Sequence, residues 1–98
     1  MLFVVRFSDK PDGLNLRKRL LPAHLDWLDK HQNSVLVAGS LREEPGASPV
    51  GACWIVEAAN RVEVQSIFAS DPFWIDGLRS GVEILHWSKA FPDRQIPV

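Results

Sequence analysis

Residues 50–57, Val50-Gly51-Ala52-Cys53-Trp54-Ile55-Val56-Glu57, decide the fold of this chain. Successive side chains of an extended chain point to opposite faces, so Ala52, Trp54 and Val56 share one face while Cys53 and Ile55 share the other. A slip of one residue in the strand pairing would exchange the two faces. The stretch is therefore predicted to be a strand with apolar side chains on both of its faces.

The segments on either side of this strand predict a mixed chain of strands and helices. Residues 2–7 are rich in β-branched and aromatic side chains and end in the turn formers of 8–13. The predicted elements are strand 2–7, helix 14–31, strand 35–39, strand 50–57, a helix from residue 60 to before Pro72, and strand 82–87. This order, βαββαβ, predicts an α+β, ferredoxin-like fold, which is a four-stranded antiparallel sheet with two helices on one face.

The first predicted helix has an apolar face and an internal proline. Leu21, Leu25 and Leu28 follow the four-then-three spacing of one helical face. Pro22 lacks a backbone donor and crowds the carbonyl four residues earlier, so we expect the helix to kink or restart there. His24 is then expected in the first turn of the new segment.

Two helices can cover only one face of a four-stranded sheet, which leaves the second face to solvent or to another chain. The predicted strands carry apolar residues on both faces: Ile55 lies beside Trp54, and Leu85 and Trp87 lie beside Ile84. The sequence therefore predicts a homodimer formed through the sheet faces.

Length and composition limit the chain to one small domain. The 98 residues suffice for one core, predicted over 1–91, and a tail over 92–98 with two prolines.

The net charge is −1 and the only dense basic cluster is 17–19, so we expect no nucleic-acid partner. No apolar run approaches the length of a membrane span, so no membrane partner is expected. A single cysteine, Cys53, fits a reducing compartment, and the cytoplasm is the predicted location.

We expect neither a metal nor a cofactor. His24 and His31 are seven residues apart, which is about 10 Å along a helix and too far for one ion. The sequence has no Cys-x-x-Cys or His-x-x-x-His spacing. Gly39, Gly46 and Gly51 flank strands and do not precede a helix, so the sequence has no glycine-rich phosphate-binding loop.

Two short motifs each present one titratable side chain at a predicted element boundary: Pro22-Ala23-His24-Leu25 and Asp71-Pro72-Phe73-Trp74. An imidazole paired with a carboxylate that fixes its tautomer is the smallest group of side chains able to move a proton. His24 is predicted to be a general acid and base, and Asp71 to orient it and stabilise its cation. In the alternative interpretation, His24 is an ordinary helix histidine and Asp71 only bonds nearby backbone amides.

With these motifs the chain resembles the YCII-related family, small proteins of the dimeric α+β barrel type. The resemblance implies a ferredoxin-like protomer, a homodimer through the sheets, and a cleft that holds His24 and Asp71. One branch of the family resembles a dehydrochlorinase that acts on a chlorinated hydroxyquinol. The resemblance rests on Arg17, residues 22–25, residues 38–41, Gly51, residues 71–73, and residues 82–84 with Trp87.

The chain departs from the family pattern at two positions. Leu21 stands where many relatives have an arginine, which removes an anion-binding group. Ser40 stands where a proline is common, which adds a hydroxyl near the expected site.

Four further residues are candidates for substrate contact. Arg17 precedes His24 by seven residues, so on a continuous helix it shares that face and can hold an anionic oxygen; a solvated arginine is the equal alternative. Ser40 can donate to a substrate oxygen or serve as a turn residue. Phe73 and Trp74 can line an aromatic pocket, or pack in the core or at the dimer interface.

Together these features predict a small cofactor-free enzyme, a lyase or isomerase, that transfers a proton on a compact, aromatic or enol-like substrate. The family resemblance adds the expectation of dehydrochlorinase-like chemistry. The alternative is a non-catalytic dimeric module that binds a small ligand or a partner, with His24 and Asp71 as a buried hydrogen-bonded pair.

Overall fold

The computed structural model describes residues 1–95, so residues 96–98 of the predicted tail lie outside the described residues. The chain contains four strands and three helices within this range. They are β1 (Leu2–Asp9), α1 (Leu14–Lys30), β2 (Val35–Leu41), β3 (Gly51–Glu57), α2 (Arg61–Phe68), α3 (Pro72–Ile75) and β4 (Arg79–Trp87).

The four strands form one antiparallel sheet in the order β2-β3-β1-β4. β1 lies in the interior of the sheet, where Val5 is opposite Trp54 of β3 on one side and Ile84 of β4 on the other. This topology confirms the predicted ferredoxin-like fold.

The core lies between one face of the sheet and the helices. Ala52, Trp54 and Val56 of β3 are buried on that face, as their alternation predicts. α1 contributes Trp27 to the core, and α2 contributes Val64 and Phe68. Both long helices therefore cover the same face of the sheet.

The second face of the sheet carries exposed apolar side chains in the single chain. Leu85 and Trp87 of β4 are 47% and 41% exposed, and Arg6 of β1 forms an ion pair with Glu83 across the strands. Ile55 of β3 is only partly buried on this face. The structure of one chain thus leaves this apolar surface uncovered.

The structure corrects two expectations about α1. The helix is unbroken from Leu14 to Lys30, and His24 lies in its interior rather than in the first turn of a new segment. Pro22 and Lys18 are both exposed, so water can bond the Lys18 carbonyl that the proline leaves without a donor. The predicted apolar face is not the buried one, because Leu21 and Leu25 are 38% and 54% exposed.

The residues that α1 buries are Arg17, His24 and Trp27, and only Leu28 of the leucine stripe packs against the core. The helical period was identified correctly, but the centre of the buried face holds two polar side chains. Hydrophobic spacing alone does not reveal such a face.

The region after α2 also differs from the prediction. Residues 72–75 form a short third helix, and β4 begins at Arg79 instead of Val82, with Gly81 inside the strand. Gly77 has a left-handed backbone conformation (φ 79°), which turns the chain from α3 into β4. β2 likewise extends two residues beyond its predicted end, to Leu41.

None of the helices in residues 1–95 combines the length and the apolarity that crossing a bilayer requires.

Gly51 is a position where the sheet tolerates no side chain. A Cβ atom there would overlap the backbone carbonyl oxygen of Phe7 on the neighbouring strand. We expect Gly51→Ala to lower the free energy of unfolding by about 1–3 kcal/mol, the usual cost of overpacking. Urea unfolding followed by fluorescence measures this change.

Gly81→Ala is the matched control, because a Cβ at Gly81 meets nothing within 4 Å. Its unfolding free energy should be unchanged or slightly higher, since alanine suits a strand better than glycine. Equal loss of stability in both variants would contradict this account of the strand packing.

Candidate active site

Helix α1 and the segment that begins α3 bring four side chains together at one end of the core. Arg17 and His24 are seven residues apart on an unbroken helix, so both project from the same face. Asp71 and Phe73 come from the start of α3. All four side chains are buried.

The Asp-Pro-Phe motif is a helix start. Asp71 is the N-cap of α3, Pro72 occupies the first turn, and the backbone N–H of Phe73 donates to Oδ1 of Asp71 at 3.2 Å. The structural interpretation of Asp71 as a backbone-bonding residue therefore holds.

The same carboxylate oxygen also bonds His24. The distance between Nδ1 of His24 and Oδ1 of Asp71 is 2.7 Å, and the two side chains are 8% and 1% exposed. Oδ1 accepts from the Phe73 amide as well, and an ionised carboxylate can only accept, so this geometry suits Nδ1 of His24 as the donor. One atom, Oδ1 of Asp71, thus both caps α3 and pairs with His24.

Phe73 fixes the plane of the imidazole. Its ring lies 3.9 Å from that of His24 with an angle of 11° between the planes. The hydrogen bond and the stack together define the position and the orientation of the imidazole. The other ring nitrogen, Nε2, makes no hydrogen bond within residues 1–95, and His24 lines the pocket described below.

Two arginines share one carboxylate beside this pair. Nε of Arg17 donates to Oδ2 of Asp9 at 3.1 Å, and Nη1 of Arg79 donates to Oδ1 of Asp9 at 2.6 Å. The guanidinium carbons of Arg17 and Arg79 lie 5.1 Å and 5.0 Å from the centre of the Phe73 ring. Phe73 therefore contacts the imidazole and both cations, which makes it the common support of the site.

A pocket of about 130 Å³ opens between α1 and the edge of the sheet formed by β2 and β3. An engineered cavity of similar size is known to hold benzene, so the pocket suits a single small ring. Its wall is mostly apolar, with four polar or charged side chains, those of Arg17, His24, Ser40 and Arg79. The lining residues are Arg17, Leu21, His24, Leu25, Leu28, Ala38, Gly39, Ser40, Ala52, Trp54 and Arg79.

The structure brings the predicted site residues together only in part. His24, Arg17 and Ser40 line the pocket, and Asp71 lies behind His24. The hydroxyl of Ser40 accepts from Nη2 of Arg42 at 3.2 Å. Phe73 and Trp74 do not line the pocket.

The places of these two aromatic residues explain why they cannot contact a ligand in the pocket. Phe73 is fully buried beneath the imidazole, and Trp74 packs on Phe7 and Phe68 in the core. Both aromatic residues therefore serve packing, and the aromatic wall of the pocket comes from Trp54.

Sequence reasoning missed Asp9 and Arg79. Asp9 lies in a cluster of turn formers, where an acidic residue is unremarkable. Arg79 lies between Leu78 and Gly81, in a segment that was expected to precede the last strand. A longer prediction for β4 with regular pairing would have placed Ser80 opposite Asp9, whereas a register shift after Ser8 makes Arg79 the partner of Asp9.

Within residues 1–95, no group of three or more His, Cys, Asp or Glu side chains lies close enough to hold a metal ion. The groups that the pocket offers to a ligand are an imidazole, two guanidinium groups, a serine hydroxyl and an indole. Such groups bind and orient an organic molecule and exchange protons with it.

The antiparallel sheet with its helices on one face, and a buried histidine-carboxylate pair beside a small pocket, define a protein of the dimeric α+β barrel class. Within that class the chain belongs to the YCII-related domain family, whose profile matches residues 1–88.

Comparison with solved structures supports the same assignment. The chain is similar to 5-chloro-2-hydroxyhydroquinone dehydrochlorinase from Burkholderia phenoliruptrix, solved in complex with 2,5-dihydroxybenzoquinone: the identity is 30%, the match covers 90% of this chain and 94% of that one, and the TM-score is 0.81. A candidate antibiotic biosynthesis monooxygenase from Bacteroides thetaiotaomicron shares the fold at 18% identity, with 99% and 95% coverage and a TM-score of 0.59. A search of curated proteins found no match.

Proposed function

We propose that this protein is a cofactor-free lyase or isomerase in which His24 transfers a proton on a small ring substrate. The observation that carries the proposal is the 2.7 Å hydrogen bond from Nδ1 of His24 to Asp71, which leaves Nε2 unbonded in a residue that lines the pocket. Positioned acid-base groups of this kind accelerate reactions by about 10²–10⁴-fold.

Each member of the pair has a distinct role in this proposal. Nε2 of His24 takes a proton from the substrate and returns it at another atom. Asp71 holds the imidazole in the Nδ1–H tautomer and stabilises the imidazolium that forms, as the carboxylate does in hydrolase triads. The low exposure of both side chains strengthens this interaction, because water does not screen it.

The similarity to a dehydrochlorinase suggests a reaction class. In such a reaction on a chlorinated hydroxyquinol, the base removes a hydroxyl proton and delivers a proton to the ring carbon that bears chlorine. A second hydroxyl then loses its proton as its oxygen becomes a carbonyl, and chloride leaves with the electron pair of the C–Cl bond. The net loss is one proton and one chloride, so no oxidant and no cofactor is required.

Arg17 and Ser40 are proposed to bind the substrate. Arg17 lines the pocket with a side chain that is 11% exposed, and it can stabilise negative charge on an oxygen of the substrate. Ser40 lies on β2 at the pocket wall and offers a hydroxyl. Neither residue contacts the His24–Asp71 pair by a hydrogen bond within residues 1–95.

A second candidate function is a non-catalytic module that binds a small ligand. The observation in its favour is that Asp71 caps α3 and supports His24 with the same oxygen, so the pair also has a structural use. The two functions differ in turnover: the enzyme converts a substrate, whereas the module binds one unchanged.

We also propose that the protein forms a homodimer through the uncovered face of the sheet. Leu85 and Trp87 are exposed on this face and border a shallow groove with Val4. A second copy would bury these side chains and complete the barrel that this class of fold forms.

The first test of the enzyme is turnover of hydroxylated and chlorinated hydroquinones, beginning with 5-chloro-2-hydroxyhydroquinone. Released chloride measures the reaction. We expect His24→Ala to lower kcat/KM by at least about 10²-fold, because the proton-transfer group is lost. Asp71→Asn should lower it by about 10²–10⁴-fold, because the imidazole loses its fixed tautomer.

His31→Ala is the matched control, since His31 lies at the end of the same helix and outside the pocket. It should retain wild-type kcat/KM. Turnover that survives His24→Ala would contradict the proposed mechanism, and tight binding of these compounds without turnover would favour the ligand-binding module.

The dimer is tested by sedimentation of a variant with a charge on the proposed interface. Leu85→Glu should convert the dimer to a monomer, because association would bury an unpaired carboxylate. Val62→Glu is the control, since Val62 is 68% exposed on α2, away from the uncovered sheet face. A wild-type protein that sediments as a monomer, or a Leu85→Glu variant that remains a dimer, would contradict this interface.

A further inference from the structure

Arg79 is a buried cation in the wall of the pocket that the sequence motifs do not include. Its side chain is 1% exposed, and its guanidinium carbon lies 4.6 Å from the centre of the Phe7 ring and 5.0 Å from that of Phe73. These two rings hold the guanidinium group in place, and Arg79 lines the pocket with His24.

Arg79 has more hydrogen-bond donors than its protein partners can use. Nη1 donates to Asp9, but Nε and Nη2 find no acceptor within residues 1–95. Buried polar groups normally have partners, so unpartnered donors on a buried cation are unusual in a folded protein. An acceptor supplied by a bound molecule would satisfy them.

The unpartnered donors of a cationic guanidinium group form their strongest hydrogen bonds with an anionic acceptor. Asp9 is shared between Arg79 and Arg17, so one carboxylate faces two guanidinium groups. Asp71 is close enough to stabilise the charge of Arg79 but makes no hydrogen bond to it: its Oδ1 bonds His24 and the Phe73 amide, and its Oδ2 is buried without a hydrogen-bond partner within residues 1–95. Burial lowers the pKa of Arg79, with Arg17 adding to this shift, while the hydrogen bond and charge of Asp9 and the charge of Asp71 oppose it.

We propose that Arg79 binds a negatively charged oxygen, a phenolate or an enolate, on the ring substrate in the pocket. This inference rests on the proposed function, because proton removal by His24 places negative charge on such an oxygen. The unused N–H groups of Arg79 would stabilise that charge as it develops. Leu21, in the same wall, has no donor that could do so.

The test compares the affinities of two small rings by calorimetry. 2,5-Dihydroxybenzoquinone is an anion at neutral pH, whereas hydroquinone is uncharged and of similar size. In Arg79→Gln the anion should bind about 10- to 100-fold more weakly, as expected for a lost charge-assisted hydrogen bond. Hydroquinone should bind within about twofold of its wild-type affinity. Arg61→Gln, which removes an exposed arginine on α2, should change neither affinity.

Several outcomes would overturn the inference. In one, both rings lose affinity equally, which a merely structural role for Arg79 predicts. In another, the wild-type protein binds the anion no more tightly than hydroquinone. If Arg79→Gln fails to fold, Arg79→Lys carries the test: it keeps the charge but loses the planar set of donors, so the anion should bind more weakly than to the wild-type protein while hydroquinone binds equally well, and an unchanged affinity for the anion contradicts the proposal.

This experiment separates Arg79 from the proposed catalysis. Affinity for the anion requires no turnover, so a protein that converts no substrate can still bind the anion through Arg79. Conversely, if the wild-type protein is active and Arg79→Gln leaves KM, kcat and the affinity for the anion unchanged, the proposed role of His24 stands and that of Arg79 is contradicted.

Discussion

The hydrogen bond between Nδ1 of His24 and Oδ1 of Asp71 joins the two halves of the chain at the site, and the local structure on both sides is arranged to hold it. Residues 47 positions apart are brought to 2.7 Å by an unbroken α1 on one side and by the capped start of α3 on the other. The oxygen that receives the bond also caps α3, so the hydrogen bond and the helix start stabilise each other. Moving either element would break both.

Phe73 contacts both the hydrogen-bonded His24 and the charged arginines of the site. Its fully buried ring stacks on the imidazole, and the guanidinium groups of Arg17 and Arg79 lie about 5 Å from its centre. Aromatic support of this kind places one imidazole and two guanidinium groups around a pocket of about 130 Å³, while the Phe73 ring itself does not line the pocket. The three consecutive residues of the Asp-Pro-Phe motif thus start α3, supply the hydrogen-bond partner of His24, and place an aromatic ring against the imidazole and both guanidinium groups.

Alternation of side chains in β3 was enough to predict which of them share a face, and the order of elements was enough to predict the ferredoxin-like fold. The two motifs also pointed to a meeting of His24 and Asp71. The course of α1 through Pro22 could not be predicted, because it depends on the exposure of Lys18 and on the burial of Arg17, His24 and Trp27 against the sheet. The position of Arg79 could not be predicted either, because it follows from the pairing of β4 with β1 near Asp9. Local sequence determines the periodicity of helices and strands and the positions of turns. The course of α1 and the position of Arg79 depend on tertiary contacts instead.

The central claim is that Asp71 holds His24 in the Nδ1–H tautomer and leaves Nε2 to act as the base. Nitrogen-15 NMR of the histidine side chains measures the tautomer directly, with His31 and His86 as internal references and His24→Ala to assign the signals. In the neutral imidazole of His24 we expect the proton on Nδ1 in the wild-type protein, and loss of this preference in Asp71→Ala. A proton on Nε2, or the same tautomer in the presence and absence of the Asp71 carboxylate, would contradict the account.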